Sequence, residues 1–240
     1  PTEHLAVGID ARNRSEDLKT LPTEIRRLTK RGIGCELIFL TASDEVLLKR
    51  YRESRRRHPL AESGTGLHST ITGERQILSE LISSADLTID TSHTSVYELA
   101  DAIRERVATR ATEELSILIE SFGFKNGIPD DADFVFDLRT LPNPYWDPDL
   151  RSFNGTDAEV IEFLEAEPEF IAMYDDIVKF LSTWIPKYEA ANRRYLTVAL
   201  GCTGGQHRSV CMVEKVAKTL KGDHDAVMTR HNELVHHSIR

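Results

Sequence analysis

Leu200-Gly-Cys-Thr-Gly-Gly-Gln-His-Arg-Ser209 is a glycine-rich turn between the apolar run Tyr195–Leu200 and a helix-patterned segment from Ser209 to Lys221. A strand that passes through glycines into a helix is the joint of a parallel α/β sheet, and it is also a ready-made anion site. Glycines let the backbone approach a phosphate, the first N–H groups of the helix point at it, and the helix dipole favours negative charge. Arg208 stands where it can add a bidentate contact. The expected ligand is a phosphate or phosphosugar held by Cys202, Thr203, Gly204, Gly205, His207, Arg208 and Ser209. The plainer alternative is that Gly201, Gly204 and Gly205 only make a tight strand-to-helix turn.

Cys202 and Arg208 also carry the spacing C-x5-R, followed by Ser209, that cysteine phosphatases use. In that reading a thiolate ringed by N–H groups attacks phosphorus while Arg208 holds the equatorial oxygens, and Trp146-Asp147-Pro148 supplies the leaving-group acid. The competing reading packs Cys202 behind the loop as an ordinary buried cysteine.

The same alternation extends upstream. Leu115–Phe122 and Phe134–Leu138 read as strands, and Ala158–Glu165 and Glu169–Trp184 as helices. Lys125, Arg139 and Asn143 each follow a strand, where open α/β sheets place ligands, and are expected to converge on the Cys202 turn. The run Leu141-Pro-Asn-Pro-Tyr-Trp-Asp-Pro148 is otherwise a rigid loop with Trp146 as its core anchor. In the first half, Leu5–Asp10 reads as a buried parallel strand with its carboxylate at the C-terminal edge. A helix over Glu16–Lys30, a strand over Cys35–Leu40, a Ser43-capped helix over Asp44–Arg57, a strand over Leu87–Thr91 and an amphipathic helix over Ser95–Arg106, with Leu99, Ile103 and Val107 on one face, complete it. The polar stretch 110–114 is the expected boundary, giving domains 1–110 and 111–240, both α/β.

Five arginines crowd the eight positions from Arg50 to Arg57, a density that favours an anionic neighbour such as nucleotide phosphates or an RNA backbone over a solvated helix face. Arg50, Arg55, Arg56 and Arg57 are therefore candidate nucleotide contacts, and Asp10 a Walker-B-type acid holding Mg²⁺ through water. No G-x-x-x-x-G-K-[ST] occurs in the 240 residues, so the phosphate cradle and lysine of a P-loop are not among them.

Composition sets the frame. With 40% hydrophobic and 29% charged residues the chain is globular, and its apolar runs are far shorter than a bilayer span. Cys35, Cys202 and Cys211 form no paired framework and no zinc spacing, which fits a reducing, cytoplasmic setting. The first 110 residues balance in charge, so the whole net charge of −9 lies in residues 111–240. Any nucleic-acid surface must therefore be local.

Taken in order, Ala6–Arg12, Arg50–Leu60, Asp86–Ser92, Glu120-Ser-Phe-Gly-Phe-Lys125, Leu141–Pro144 and Gly201–Val210 resemble the RapZ/YvcJ family over nearly the whole chain. The resemblance implies a P-loop kinase-like parallel-sheet domain, incomplete in this chain, followed by an α/β domain like the sugar-phosphate-binding half of phosphofructokinases. It implies nucleotide binding with slow ATP and GTP hydrolysis in the full-length form, using Mg²⁺. Family members carry a Walker A loop some tens of residues before the Asp10 strand, so the chain reads as a fragment that is not itself expected to hydrolyse ATP and that carries no cofactor. The best-known member is an RNase adapter that binds small regulatory RNAs, senses glucosamine-6-phosphate and assembles as a tetramer. That implies RNA, an RNase and an amino-sugar phosphate as partners, in a dimer or tetramer. The sugar-phosphate residues implied are Lys125, Arg139, Asn143, Tyr145 and the Cys202–Ser209 turn, with Tyr145 where that member has a histidine. Its tail is strongly basic, whereas 229–240 here carries only Arg230 and Arg240.

Overall fold

The computed structural model describes residues 5–10, 15–54, 58–61, 66–104 and 115–234. The chain divides into two compact units, residues 1–92 and 93–240. Val107, the 110–114 stretch, Arg55, Arg56, Arg57 and Arg240 lie outside the described residues.

In the first unit, α1 (Ser15–Lys30), β1 (Ile38–Thr41), α2 (Asp44–Ser54), α3 (Leu67–Ser84) and β2 (Leu87–Asp90) follow one another. β1 and β2 pair in parallel with Ile38 opposite Leu87 and Thr41 opposite Asp90. Ile71, Leu81, Leu87, Ile89 and Leu18 are buried, while no residue of α2 is. Ser43 accepts from the Val46 N–H at 3.4 Å and so caps α2 as its sequence predicts.

Leu5–Asp10 differs from expectation. It is not a strand, all six residues are exposed, and Leu5 keeps 87% of its surface. An apolar run becomes a strand only where a neighbour takes its N–H and C=O groups, and the described sheet here pairs β1 with β2 alone. Asp10 therefore does not end a strand.

The second unit contains α4 (Val96–Ile103), β3 (Ser116–Gly123), β4 (Phe134–Asp137), α5 (Ala158–Glu165), α6 (Pro168–Ala190), β5 (Tyr195–Cys202), α7 (Arg208–Leu220) and β6 (Val227–His231). Ser95 and Glu98 form a reciprocal capping box at the start of α4. The sheet is all parallel in the order β4-β5-β3-β6. All eight positions of both β3 and β5 are buried, as central strands of a parallel sheet require. Ile117, Ile119, Leu196, Val198 and Leu200 share a core with Val160 and Leu164 of α5, Phe170, Ile177 and Leu181 of α6, and Met212, Val213 and Val216 of α7. β4 is an edge strand that alternates instead, sending Phe134 and Phe136 edge-on to Phe180 of α6. No helix among the described residues is long and apolar enough to cross a membrane.

Candidate anion-binding site

Register decides what meets at the C-terminal edge of the second sheet. Gly123 at the end of β3 stands opposite Cys202, and Asp137 at the end of β4 stands opposite Gly201. Three strand ends are thus level where β5 enters the glycine turn, the position at which open parallel sheets bind ligands. Gly205 has φ +72°, and a Cβ there would fall 2.6 Å from the Gly123 nitrogen, so both backbone and space demand glycine. At Gly204 a Cβ would meet nothing within 4 Å, so this side of the turn is open.

Cys202 is 2% exposed, and its Sγ accepts from the Gly205 N–H at 3.2 Å and lies 3.2 Å from the Ser209 hydroxyl oxygen. Burial opposes ionisation, but the bonds from Ser209 and Gly205 and the charge of Arg208 outweigh it and hold the thiol below its ordinary pKa. The sulfur braces the turn from behind. That is the packing alternative; a nucleophile needs an accessible sulfur, and this one is buried.

Arg208 is held from within the fold through its two Nη atoms. It is buried, its Nη1 donates to the carbonyls of Arg139 at 3.0 Å, Leu141 at 2.9 Å and Leu138 at 3.5 Å, and its Nη2 reaches Thr203 Oγ1 at 3.4 Å. The chain leaving β4 turns with these carbonyls facing the interior, where each needs a donor, and Arg208 is that donor. Its Nε and the Nε2 of His207 are buried with no hydrogen-bond partner among the described residues. Burial lowers the His207 pKa, against bonds to the backbone of Phe153 and Leu150.

Of the other predicted residues, Lys125 and Arg139 meet the turn region through their backbones, while Asn143 and Tyr145 make contacts within their own loop. Lys125 is exposed and its N–H donates to the Thr203 carbonyl at 3.3 Å, so its backbone adjoins the turn. Arg139 is bidentate on Asp137, with Nε at 2.9 Å and Nη2 at 2.6 Å, and stacks 3.9 Å over the Phe124 ring. That pairing holds the Asp137 carboxyl below its usual range. Asn143 Oδ1 caps the short helical turn 144–146 by accepting from the Tyr145 N–H at 3.4 Å. Tyr145 is exposed with the Arg151 guanidinium 4.9 Å over its ring. Trp146 is 75% exposed rather than a core anchor; Leu141, Pro144 and Leu150 are the buried anchors of this loop and leave the indole no place inside.

Two groups escaped sequence reasoning. β6 carries Arg230 into the interior, where it binds Glu120 at 2.6 Å and Asp131 at 3.0 Å, with Asn232 also on Glu120 at 3.1 Å. Arg230 is therefore a counter-ion to Glu120 and Asp131. The signal was legible in Glu120, an acid inside an apolar strand that must find a partner. Glu233, just past β6, accepts from the Gly123 N–H at 3.3 Å and from Asn126 Nδ2 at 2.6 Å.

In the first unit the polar residues gather at the C-terminal ends of β1 and β2. Arg50 donates to Thr91 Oγ1 at 2.9 Å and to the Thr91 carbonyl at 2.6 Å. Arg75, not anticipated, reaches Asp44 at 2.9 Å and the Ala42 carbonyl at 2.6 Å. Buried His58 bridges Glu74 at 3.0 Å and the Leu60 N–H at 3.1 Å, holding the chain that follows the arginine run against α3. Asp10 is exposed and raises the Tyr51 pKa, after burial and Glu74. Among the described residues no three His, Cys, Asp or Glu side chains stand together as a metal set. No G-x-x-x-x-G-K-[ST] loop stands among the described residues.

The second unit is thus built on a parallel α/β sheet with a glycine turn at its C-terminal edge. A model of the RapZ-like N-terminal domain matches residues 2–111 and one of the RapZ C-terminal domain matches residues 115–235. The chain belongs to the RapZ family. A protein of Marinobacter nauticus described as a nucleotide-binding protein is 47% identical over 232 residues, covering 97% of this chain and 79% of its own length. Proteins of the same description from Chromohalobacter salexigens and Hahella chejuensis are 50% and 47% identical, over 96% and 97% of this chain and 78% and 81% of theirs.

Proposed function

We propose that this protein is a nucleotide-binding regulatory member of the RapZ family whose second unit holds an amino-sugar phosphate, such as glucosamine-6-phosphate, on the β5–α7 turn. The observation that carries the reading is the turn itself: Gly204 is open, Gly205 needs positive φ, and α7 begins at Arg208. Backbone N–H groups and the α7 dipole favour an oxyanion there. The orphan Nε of Arg208 and Nε2 of His207 at the same helix start support it. Asp137, kept ionised by Arg139 at the level end of β4, suits the amine of the sugar. Nucleotide binding is supported by the description of the relatives and by Arg50 and Arg75 at the β1–β2 edge. RNA and an RNase are its proposed outputs, through the arginine run rather than Arg230, in a dimer or tetramer.

Calorimetric titration of glucosamine-6-phosphate, with glucose-6-phosphate and inorganic phosphate as controls, tests the site. Saturable binding is expected, with the ligand recovered intact and affinity reduced at least about tenfold in Gly204→Val, a site where added atoms meet open space. Equal affinity in the two chains removes the turn as the binding site.

A further inference from the structure

A cleft of about 540 Å³ opens between α5 and α7, bordered at one end by Gly155 and Thr156 of the loop before α5. That is the size of a small-molecule site. Gly155 lies so close to α7 that a Cβ there would stand 2.2 Å from the His207 carbonyl oxygen and 2.5 Å from the Cys211 nitrogen, and its N–H donates to the Gln206 carbonyl at 2.8 Å. This end of the cleft is therefore fixed. Ile161 of α5 and Ala217 of α7 give it apolar walls, and burial pushes the neighbouring Cys211 thiol up to about 12, so it adds no negative charge.

The charged groups of the cleft do not balance. Lys215, Lys218 and Lys221 stand at every third position of α7 and its C-cap, about 4.5 Å apart along the axis. Two acids share the cleft, and each is already engaged: Glu165 pairs with Lys215, and Glu214 Oε1 is 2.9 Å from His231 Nε2. Lys218 and Lys221 are exposed and have no ion pair or hydrogen bond among the described residues. Two cations thus stand unneutralised beside apolar walls, in the half of the chain that carries the whole net charge of −9. Lysines in the last turn of a helix also answer its dipole, a role that needs no cleft. We propose that the cleft is a second small-molecule site, for a phosphate monoester with an apolar body: the phosphoryl dianion meets Lys218 and Lys221, and the body lies on Ile161 and Ala217. This site is separate from the glycine turn, because it selects by side-chain cations and apolar contact.

Naphthyl phosphate, inorganic phosphate and naphthol, each titrated into the whole chain and followed by NMR amide shifts, test it. Naphthyl phosphate should move the amides of Thr156, Ile161 and Lys218 saturably and bind at least about tenfold more tightly than either of the other two. The double variant Lys218→Gln/Lys221→Gln should weaken it by at least about tenfold. Lys187→Gln, which removes a lysine set against Trp184 outside the cleft, should leave it unchanged. Thermal unfolding checks that the double variant still folds, and the two single variants, each weaker by about threefold, replace it if it does not. Unchanged affinity in the lysine variants leaves these side chains as dipole partners alone and overturns the site. Shifts confined to Gly204 and Gly205, or no saturable shift at all, overturn it as well.

Discussion

In residues 1–92 a two-stranded sheet keeps its polar groups at an open edge, where Arg50 and Arg75 tie α2 and α3 to the strand ends, and α2 buries nothing. In residues 93–240 a four-stranded sheet buries β3 and β5 at every position and draws Glu120, Asp131 and Arg230 inside. The first unit joins a small apolar set, Leu18, Ile71, Leu81, Leu87 and Ile89, with hydrogen bonds near water; the second has a larger apolar core and buried charges that cannot be left unpaired. Similar substitutions should therefore cost very different amounts in the two.

The largest contrast is expected from truncation in the two sheets. Ile119→Ala in β3, at a fully buried position, should cost about 4 kcal/mol, whereas Leu40→Ala in β1, 48% exposed, should cost under about 1 kcal/mol in urea unfolding. Equal costs would erase the distinction between the units. Arg208→Ala leaves three inward carbonyls without their donor and should cost about 3 kcal/mol. Arg208→Lys should restore little, because one ammonium cannot reproduce the guanidinium fork, and full rescue would argue for a simple charge.

Glu120 sharpens the comparison by pH. Burial pushes its pKa up to about 7, with Asp131 adding to the shift and Arg230 opposing it. Between about 4.5 and about 7 the folded chain keeps a proton that the unfolded chain loses, so this group's contribution falls as pH rises through that window. Thermal unfolding from pH 4 to 8 should show that decline in the second unit, and Glu120→Gln should flatten it. The smallest effect is expected for Arg50→Ala, about 1 kcal/mol from its Thr91 bonds and confined to the first unit. A cost above about 3 kcal/mol would mean that this edge is as tightly packed as the second sheet.

Local patterns were legible where they were complete in the chain. α5 spans Ala158–Glu165 and β5 starts at Tyr195 as their patterning predicts, because amphipathic period and apolar runs report burial directly. Leu5–Asp10 shows the limit: an apolar run carries no information about whether a neighbour completes its ladder. β6 was missed because Val227–His231 mixes polar residues into a strand whose stability comes from the edge of β3. Trp146 was misjudged because a large apolar side chain ranks as core by type, while Leu141 and Leu150 hold the space.

The sequence by itself determined the family, the parallel α/β class and the glycine turn after β5, since these rest on residue order and on backbone freedom within a few positions. Tertiary structure decided where the charges go. Arg208 Nη1 reached three carbonyls some 70 residues away, and Arg230 and Glu233 reached partners about 110 residues away. Those pairings exist because the β3–β5 and β3–β6 registers bring strand ends level, and a buried charge takes whichever partner the register delivers.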